Sequence, residues 1–211
     1  MKESMKLLNL LFLVLAAATV SAAEEPLAFK GVAIGATEEE VVQKYPKLSC
    51  RGEPDRRRCF QSPSEKEYKQ LLSACIGRGE SPATCSQQVN EALGMETVAG
   101  VPIKYMLFRF HDNKLGGIDL VTPMAQFNKV AVGFLDRYGK PAKDESWAFT
   151  PKGGGAIQNR EFEWSFPTGI IRVTRWSAQL NDSSVMYLSR EGARAFAGQS
   201  SEDRKKAASD L

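Results

Sequence analysis

From Thr97 onward the chain is built on a period of two. In "YMLFRF", residues 105–110, Met106, Phe108 and Phe110 fall on one side and Tyr105, Leu107 and Arg109 on the other. This alternation marks a half-buried strand. The turn at His111, Asp112, Asn113 and Lys114 leads to "LGGIDLV", and later come "ESWAFT", "REFEWSF", "IIRVTRW" and "SVMYLS", separated by short Gly- and Pro-bearing links. Links this short join antiparallel strands, since parallel pairs need long crossovers. The chain is therefore expected to be α+β, an antiparallel β-sheet with helices packed on one face.

Two segments supply those helices. "ATEEEVVQKYP" places Thr37 three residues before Glu40, a capping box, with Glu38, Glu39 and Glu40 in the first turn and an apolar stripe at Val41, Val42 and Tyr45. Thr122 and Pro123 open a longer helix, with Phe127, Val130, Ala131, Phe134 and Tyr138 at helical spacing and Gly139 and Pro141 beyond it. "VVQKYPK" and "FLDRYGKP" answer each other, each closing a helix ahead of strands, which suggests a tandem helix-plus-strands repeat. Gly31 and Gly35 precede the first helix. The acidic first turn repels a phosphate where a phosphate loop must attract one, and neither a G-x-G-x-x-G nor a G-K-[ST] signature is present. These glycines shape a turn.

The ends of the chain read differently. Residues 1–22 carry Lys2 and Lys6 ahead of an apolar run over 7–20 and a small-x-small site, the pattern of a cleaved signal peptide. The run is short of the ~20 apolar residues needed to span a bilayer. Residues 23–190 form the α+β domain, and 191–211 form a polar tail expected to be disordered. Export implies a periplasmic or secreted protein with no membrane span after signal removal.

All four cysteines lie after the signal. An even number in an oxidising compartment indicates disulfides. Cys50 and Cys59 sit on two short strand-like runs joined by "GEPD", facing each other across a hairpin. Cys75 and Cys85 lie on the stripes of two helices within residues 62–94: Tyr68, Leu71, Leu72, Cys75, then Cys85, Val89, Ala92. Ser62 with Pro63 and Ser81 with Pro82 start these helices, and the glycines at 77, 79 and 94 end them. The expected pairs are Cys50–Cys59 and Cys75–Cys85, the second stapling a helical hairpin inserted in the sheet.

Little points to catalysis. The chain has one histidine, His111, in a turn beside Asp112, where backbone preference accounts for it. A lone histidine excludes a His-based metal cluster, and no G-x-S-x-G occurs. No catalytic residue, metal or cofactor is implied. Removing the signal takes away two lysines and one glutamate, so the formal charge falls from +3 to +2, too small for a nucleic-acid-binding domain. "RGEPDRRRC" is the densest positive stretch, with Arg51, Arg56, Arg57 and Arg58. It reads as a charged edge hairpin guarded against strand pairing, with a grip on an acidic partner as the functional alternative.

The outward sheet face is the better candidate. With Phe162, Trp164 and Phe166 turned to the core, Glu161, Glu163 and Ser165 point outward, and Arg172, Thr174 and Trp176 follow from the next strand. Tyr105 and Arg109 face the same way. Trp176, Arg172, Tyr105, Arg109 and Glu163 are the kinds of residue from which binding hot spots are made. The alternative is a solvated face with Trp176 tucked under the tail.

The segment "GVAIGATEEEV", residues 31–41, resembles the opening of small bacterial envelope domains similar to beta-lactamase inhibitory protein and to the small lipoprotein of the outer-membrane barrel assembly machinery. That resemblance implies helices leading into antiparallel strands, sometimes in tandem, with the sheet as a protein-binding surface. No lipid-attachment cysteine follows the apolar run, and residues 62–94 have no counterpart in the short motif. The expectation is a non-enzymatic binding module for a protein partner in the cell envelope, an inhibitor or an envelope accessory factor. Small-ligand binding or a periplasmic hydrolase is the alternative.

Overall fold

Alternation becomes one large sheet. The computed structural model describes residues 27–62, 65–149, 155–177 and 181–194. The signal segment at 1–22, most of the glycine loop at 153–155 and the tail from 195 lie outside the described residues. A two-residue hairpin, β1 (Ala28–Phe29) and β2 (Val32–Ala33), precedes helix α1 (Glu38–Lys44). Strands β3 (Ser49–Arg51) and β4 (Arg58–Gln61) follow, then helices α2 (Glu65–Ile76) and α3 (Pro82–Ala92). A second short hairpin, β5 (Thr97–Val98) and β6 (Val101–Pro102), leads to β7 (Tyr105–His111) and β8 (Lys114–Pro123). Helix α4 (Phe127–Tyr138) then precedes β9 (Lys143–Phe149), β10 (Ile157–Phe166), β11 (Gly169–Thr174) and β12 (Asp182–Ser189).

The eight-stranded sheet runs β3-β4-β7-β8-β12-β11-β10-β9, antiparallel throughout. This order is a tandem. Helix α1 introduces the meander β3-β4-β7-β8, α4 introduces β9-β10-β11-β12, and the two meanders join back to back where β8 pairs with β12. The matching tyrosines play matching parts. Tyr45, at the end of α1, lies 5.3 Å from the Phe108 ring, and Tyr138, at the end of α4, lies 5.4 Å from Phe166.

The inward positions of five strands, β7, β8, β10, β11 and β12, make the core: Met106, Phe108 and Phe110, Ile118 and Leu120, Val185 and Tyr187, Ile171 and Val173, Phe162 and Trp164. Val41 of α1 and Phe127, Val130, Ala131 and Phe134 of α4 cover them. Phe134 reaches both Trp164 (5.8 Å) and Tyr187 (6.3 Å), and the Trp164 indole N–H donates to the Gly139 carbonyl at 2.9 Å. Each such buried side chain contributes about 1.5–3 kcal/mol.

The capping box forms: Thr37 Oγ1 accepts from the Glu40 amide and the Glu40 carboxylate accepts from the Thr37 amide. Gly31 (φ 83°) turns the β1–β2 hairpin. Both disulfides form, Cys50–Cys59 across directly opposite positions of β3 and β4 and Cys75–Cys85 between α2 and α3.

Four details depart from the sequence reading. Thr122 and Pro123 do not open a helix; β8 runs on to Pro123, opposite Asp182, and α4 starts at Phe127 after one 3-10 turn. The Thr122 hydroxyl is spent on Ser183 (2.7 Å) across the strand pair, so it is not available as a cap. The period-two stretch that starts at Thr97 is interrupted after Pro102, because Ala99 and Gly100, both at positive φ, fold 97–102 into its own hairpin. On the inserted hairpin, Leu71 and Ala92 turn outward, leaving Tyr68, Leu72 and Cys75 against Cys85 and Val89. Finally, residues 190–194 form a helical turn, and Gly192 sits so near the Gly116 carbonyl that a Cβ there would lie 2.3 Å away.

Candidate binding face

With the helices on one side, the outward positions line up in rows across the strands. One row runs Phe60, Leu107, Asp119, Met186, Arg172, Glu163, Lys143. Its neighbour toward the start of β7 runs Tyr105, Val121, Ser184, Thr174, Glu161, Glu145. On the other side lie Arg51, Arg58, Arg109, Gly117, Leu188, Ile170.

The charged members pair across strands. Arg172 donates to Glu163 from Nε (3.2 Å) and Nη2 (2.8 Å) and comes within 3.5 Å of Glu161. Lys143 bridges Glu145 (2.9 Å) and Glu161 (3.6 Å). Arg109 donates from Nη2 to Asp119 Oδ2. Asp119 is buried, its Oδ1 has no hydrogen-bond partner among the described residues, and burial raises its carboxyl above the usual aspartate range despite the pull of Arg109. The Tyr105 phenol is raised as well, by burial first and by the Asp119 charge second. Its ring stacks on Phe60 (6.2 Å), over which the Arg51 guanidinium sits at 5.0 Å.

Tyr105, Arg109, Glu163 and Arg172 stand on this face and Trp176 just past its edge, and they do not converge. Arg172 and Glu163 touch. Tyr105 and Arg109 lie on β7, three strands from β11, a separation of roughly 14 Å. Trp176 lies beyond the end of β11, half-buried, its backbone N–H donating to Asn159 Oδ1 at 2.8 Å. Asn159 is directly opposite Trp147 of β9, 39% exposed. Two tryptophans thus flank one asparagine at a corner of the face. Trp147 is the functional candidate that sequence reasoning missed.

At the opposite end the face drops into a cleft of about 860 Å³ between the Pro54–Arg56 turn, the β7–β8 turn and residues 190–192. Arg56, Arg57, Arg58, Arg109, His111 and Lys114 line it. The histidine is structural in its contacts: Nδ1 lies 2.7 Å from the Asp55 carbonyl and ties the two turns together. Arg57 bonds Glu38 of α1 at 2.7 Å. Among the described residues one group has metal-ligating types at short range, Glu38 with Cys50 and Cys59, but both sulfurs are held in the disulfide. Also among the described residues, no helix is long and apolar enough to cross a membrane.

Comparison with protein-family models, with curated proteins and with solved structures returned no match.

Proposed function

We propose that this chain is an exported, non-enzymatic binding protein that engages a protein partner with the open face of its sheet. The observation that carries this reading is the composition of that face: Trp147 and Trp176 at one corner, the Lys143–Glu161–Arg172–Glu163 ladder beside them, and Tyr105 on Phe60 across the sheet. Aromatic and arginine anchors, half-buried among their neighbours before any partner arrives, lose little side-chain freedom on binding. Eight strands about 4.8 Å apart give a face some 34 Å wide, in keeping with the ~800 Å² per partner of a standard interface. The two disulfides support a place in the periplasm or outside the cell. An inhibitor or an accessory factor of envelope assembly both fit. The cleft favours a second reading, small-ligand binding.

Photo-crosslinkers at positions 147 and 176, compared with one at Val132 on the helix side (53% exposed), test the reading in the exporting cell. One dominant protein adduct from 147 and 176, absent from 132, is the expected result, with Arg172→Glu weakening the purified partner's binding by about 30-fold. Identical adducts from all three positions, or none from the sheet face, would overturn it.

A further inference from the structure

Three arginines stand in register on neighbouring strands: Arg51 of β3 opposite Arg58 of β4, and Arg58 opposite Arg109 of β7. Directly opposite residues have Cβ atoms about 5 Å apart, and like charges so placed destabilise a sheet. The three are not equally answered. Arg109 pairs with Asp119, and Arg51 spreads over the Phe60 ring. Arg58 is exposed, and among the described residues no ion pair reaches it. The row opens into the cleft, where Arg56, Arg57 and Lys114 add positive charge. The carboxylates that face it are Asp55, Asp112 and Glu191, with Glu38 behind Arg57 and Asp119 behind Arg109. The apolar lining of the cleft is Ile34, half-buried, with Leu115 and Leu188 buried behind it. Gly116 and Gly117 also line the cleft, where the β7–β8 register shifts after Arg109, with the Leu188 side chain packed over Gly117.

We propose that this cleft binds a phosphate monoester, its dianion bridging Arg58 and Arg109 and its organic part lying against Ile34. A single carboxylate satisfies one guanidinium fork, whereas the three oxygens of a phosphate serve two forks at once. The volume lies in the range of about 300–1,000 Å³ common to small-molecule sites. A repulsive arginine row costs the unliganded sheet stability, and a bound dianion removes that cost. The ester comes either from a soluble phosphorylated molecule or from the headgroup of a phospholipid at a bilayer surface; the chemistry recognised is the same. This site borders the protein-binding face and shares Arg109 with it, but Arg58 belongs to neither the tryptophan corner nor the Arg172 ladder.

The test titrates the purified, oxidised protein with phenyl phosphate by calorimetry and adds vesicles of phosphatidylcholine with and without phosphatidic acid. Saturable binding of phenyl phosphate is expected, weakened at least ~10-fold in Arg58→Ala and unchanged in Lys129→Ala, which removes one charge from the helix side. Without ligand, Arg58→Ala is expected to melt at or above the wild-type temperature, so lost binding is separable from lost folding. Binding to phosphatidic-acid vesicles with no response to phenyl phosphate assigns the headgroup as the source; the reverse assigns a soluble ester. No response to either probe, or equal binding by wild type and Arg58→Ala, overturns the proposal.

Discussion

Asp119 is 6% exposed, buried like Ser184 and Leu188 on a face whose other positions are largely half-exposed. Arg109 satisfies one of its oxygens, the other has no hydrogen-bond partner among the described residues, and burial outweighs the attraction of Arg109 and Arg58, so its carboxyl stays above the ordinary range. The groups facing it are Arg109 and Tyr105 of β7, Arg58 of β4 and the uncharged Met186 of β12. A carboxyl whose folded pKa is raised binds more protons in the native state than in the unfolded one. Its contribution to stability is fully present below the unfolded value and is lost as pH rises through the folded one. Asp119→Asn does not titrate there. Its melting temperature relative to wild type is therefore expected to climb with pH across that window. Each tenfold difference in proton affinity between the folded and unfolded chains is worth about 1.4 kcal/mol, or ~3–6 °C in a protein of this size. Parallel melting curves of the two proteins from acid to neutral pH would refute the assignment. At this scale the sequence is readable where alternation is anchored by a clear core side. Phe162 and Trp164 fix Glu161 and Glu163 outward, and Met106 and Phe108 do the same for Tyr105 and Arg109. Trp147 is not readable in this way. In "ESWAFT" alternation puts Trp147 and Phe149 on one apolar side that reads as the core side, and only pairing with β10 places Trp147 opposite the outward Asn159.

Among the elements, the α2–α3 hairpin has least to hold it. Its inner positions are few, Leu71 and Ile76 are solvent-exposed, and Cys75, Cys85 and Val89 are buried apart from the main core. Isolated helices of 11 and 12 residues are marginal in water. The Cys75–Cys85 bridge is thus expected to hold the hairpin, at about 2–4 kcal/mol. Replacing both cysteines with serine should make the amides of α2 and α3 exchange faster, with the β7 and β8 amides still protected. Protection lost equally in helices and sheet would show instead that the hairpin is part of the sheet's cooperative unit. The bridge partners, the caps at Thr37 and Ser81 and the stripe of α4 are all readable from spacing, because each is a local rule. The misplaced start of α4 is a tertiary effect. Thr122 and Pro123 satisfy the local rule for a helix entry, but pairing with β12 takes both into the strand.

The whole molecule is two similar halves that share one interior. The β8–β12 seam is paired from Gly117 to Pro123, and the Lys104–Asp182 ion pair and the Thr122–Ser183 hydrogen bond cross between halves. So does packing. Phe29 meets Tyr187 at 5.8 Å, and the tip of the β5–β6 hairpin presses on α4 so closely that a Cβ added at Gly133 would fall 2.6 Å from the Ala99 methyl. The tandem hinted at by the two tyrosine-ending helices is visible in the sequence, but its mode of joining is not, since no local residue pattern says that β8 must find β12. If the halves are one cooperative unit, both must unfold together. The sequence supplies a direct probe: all three tryptophans, Trp147, Trp164 and Trp176, belong to the second half. Three of the four main helices belong to the first. In urea, tryptophan fluorescence and the helical circular dichroism signal are therefore expected to trace one coincident transition. Should fluorescence change at a lower urea concentration than dichroism, the second meander would open alone, and the shared core would not couple the halves as this packing requires.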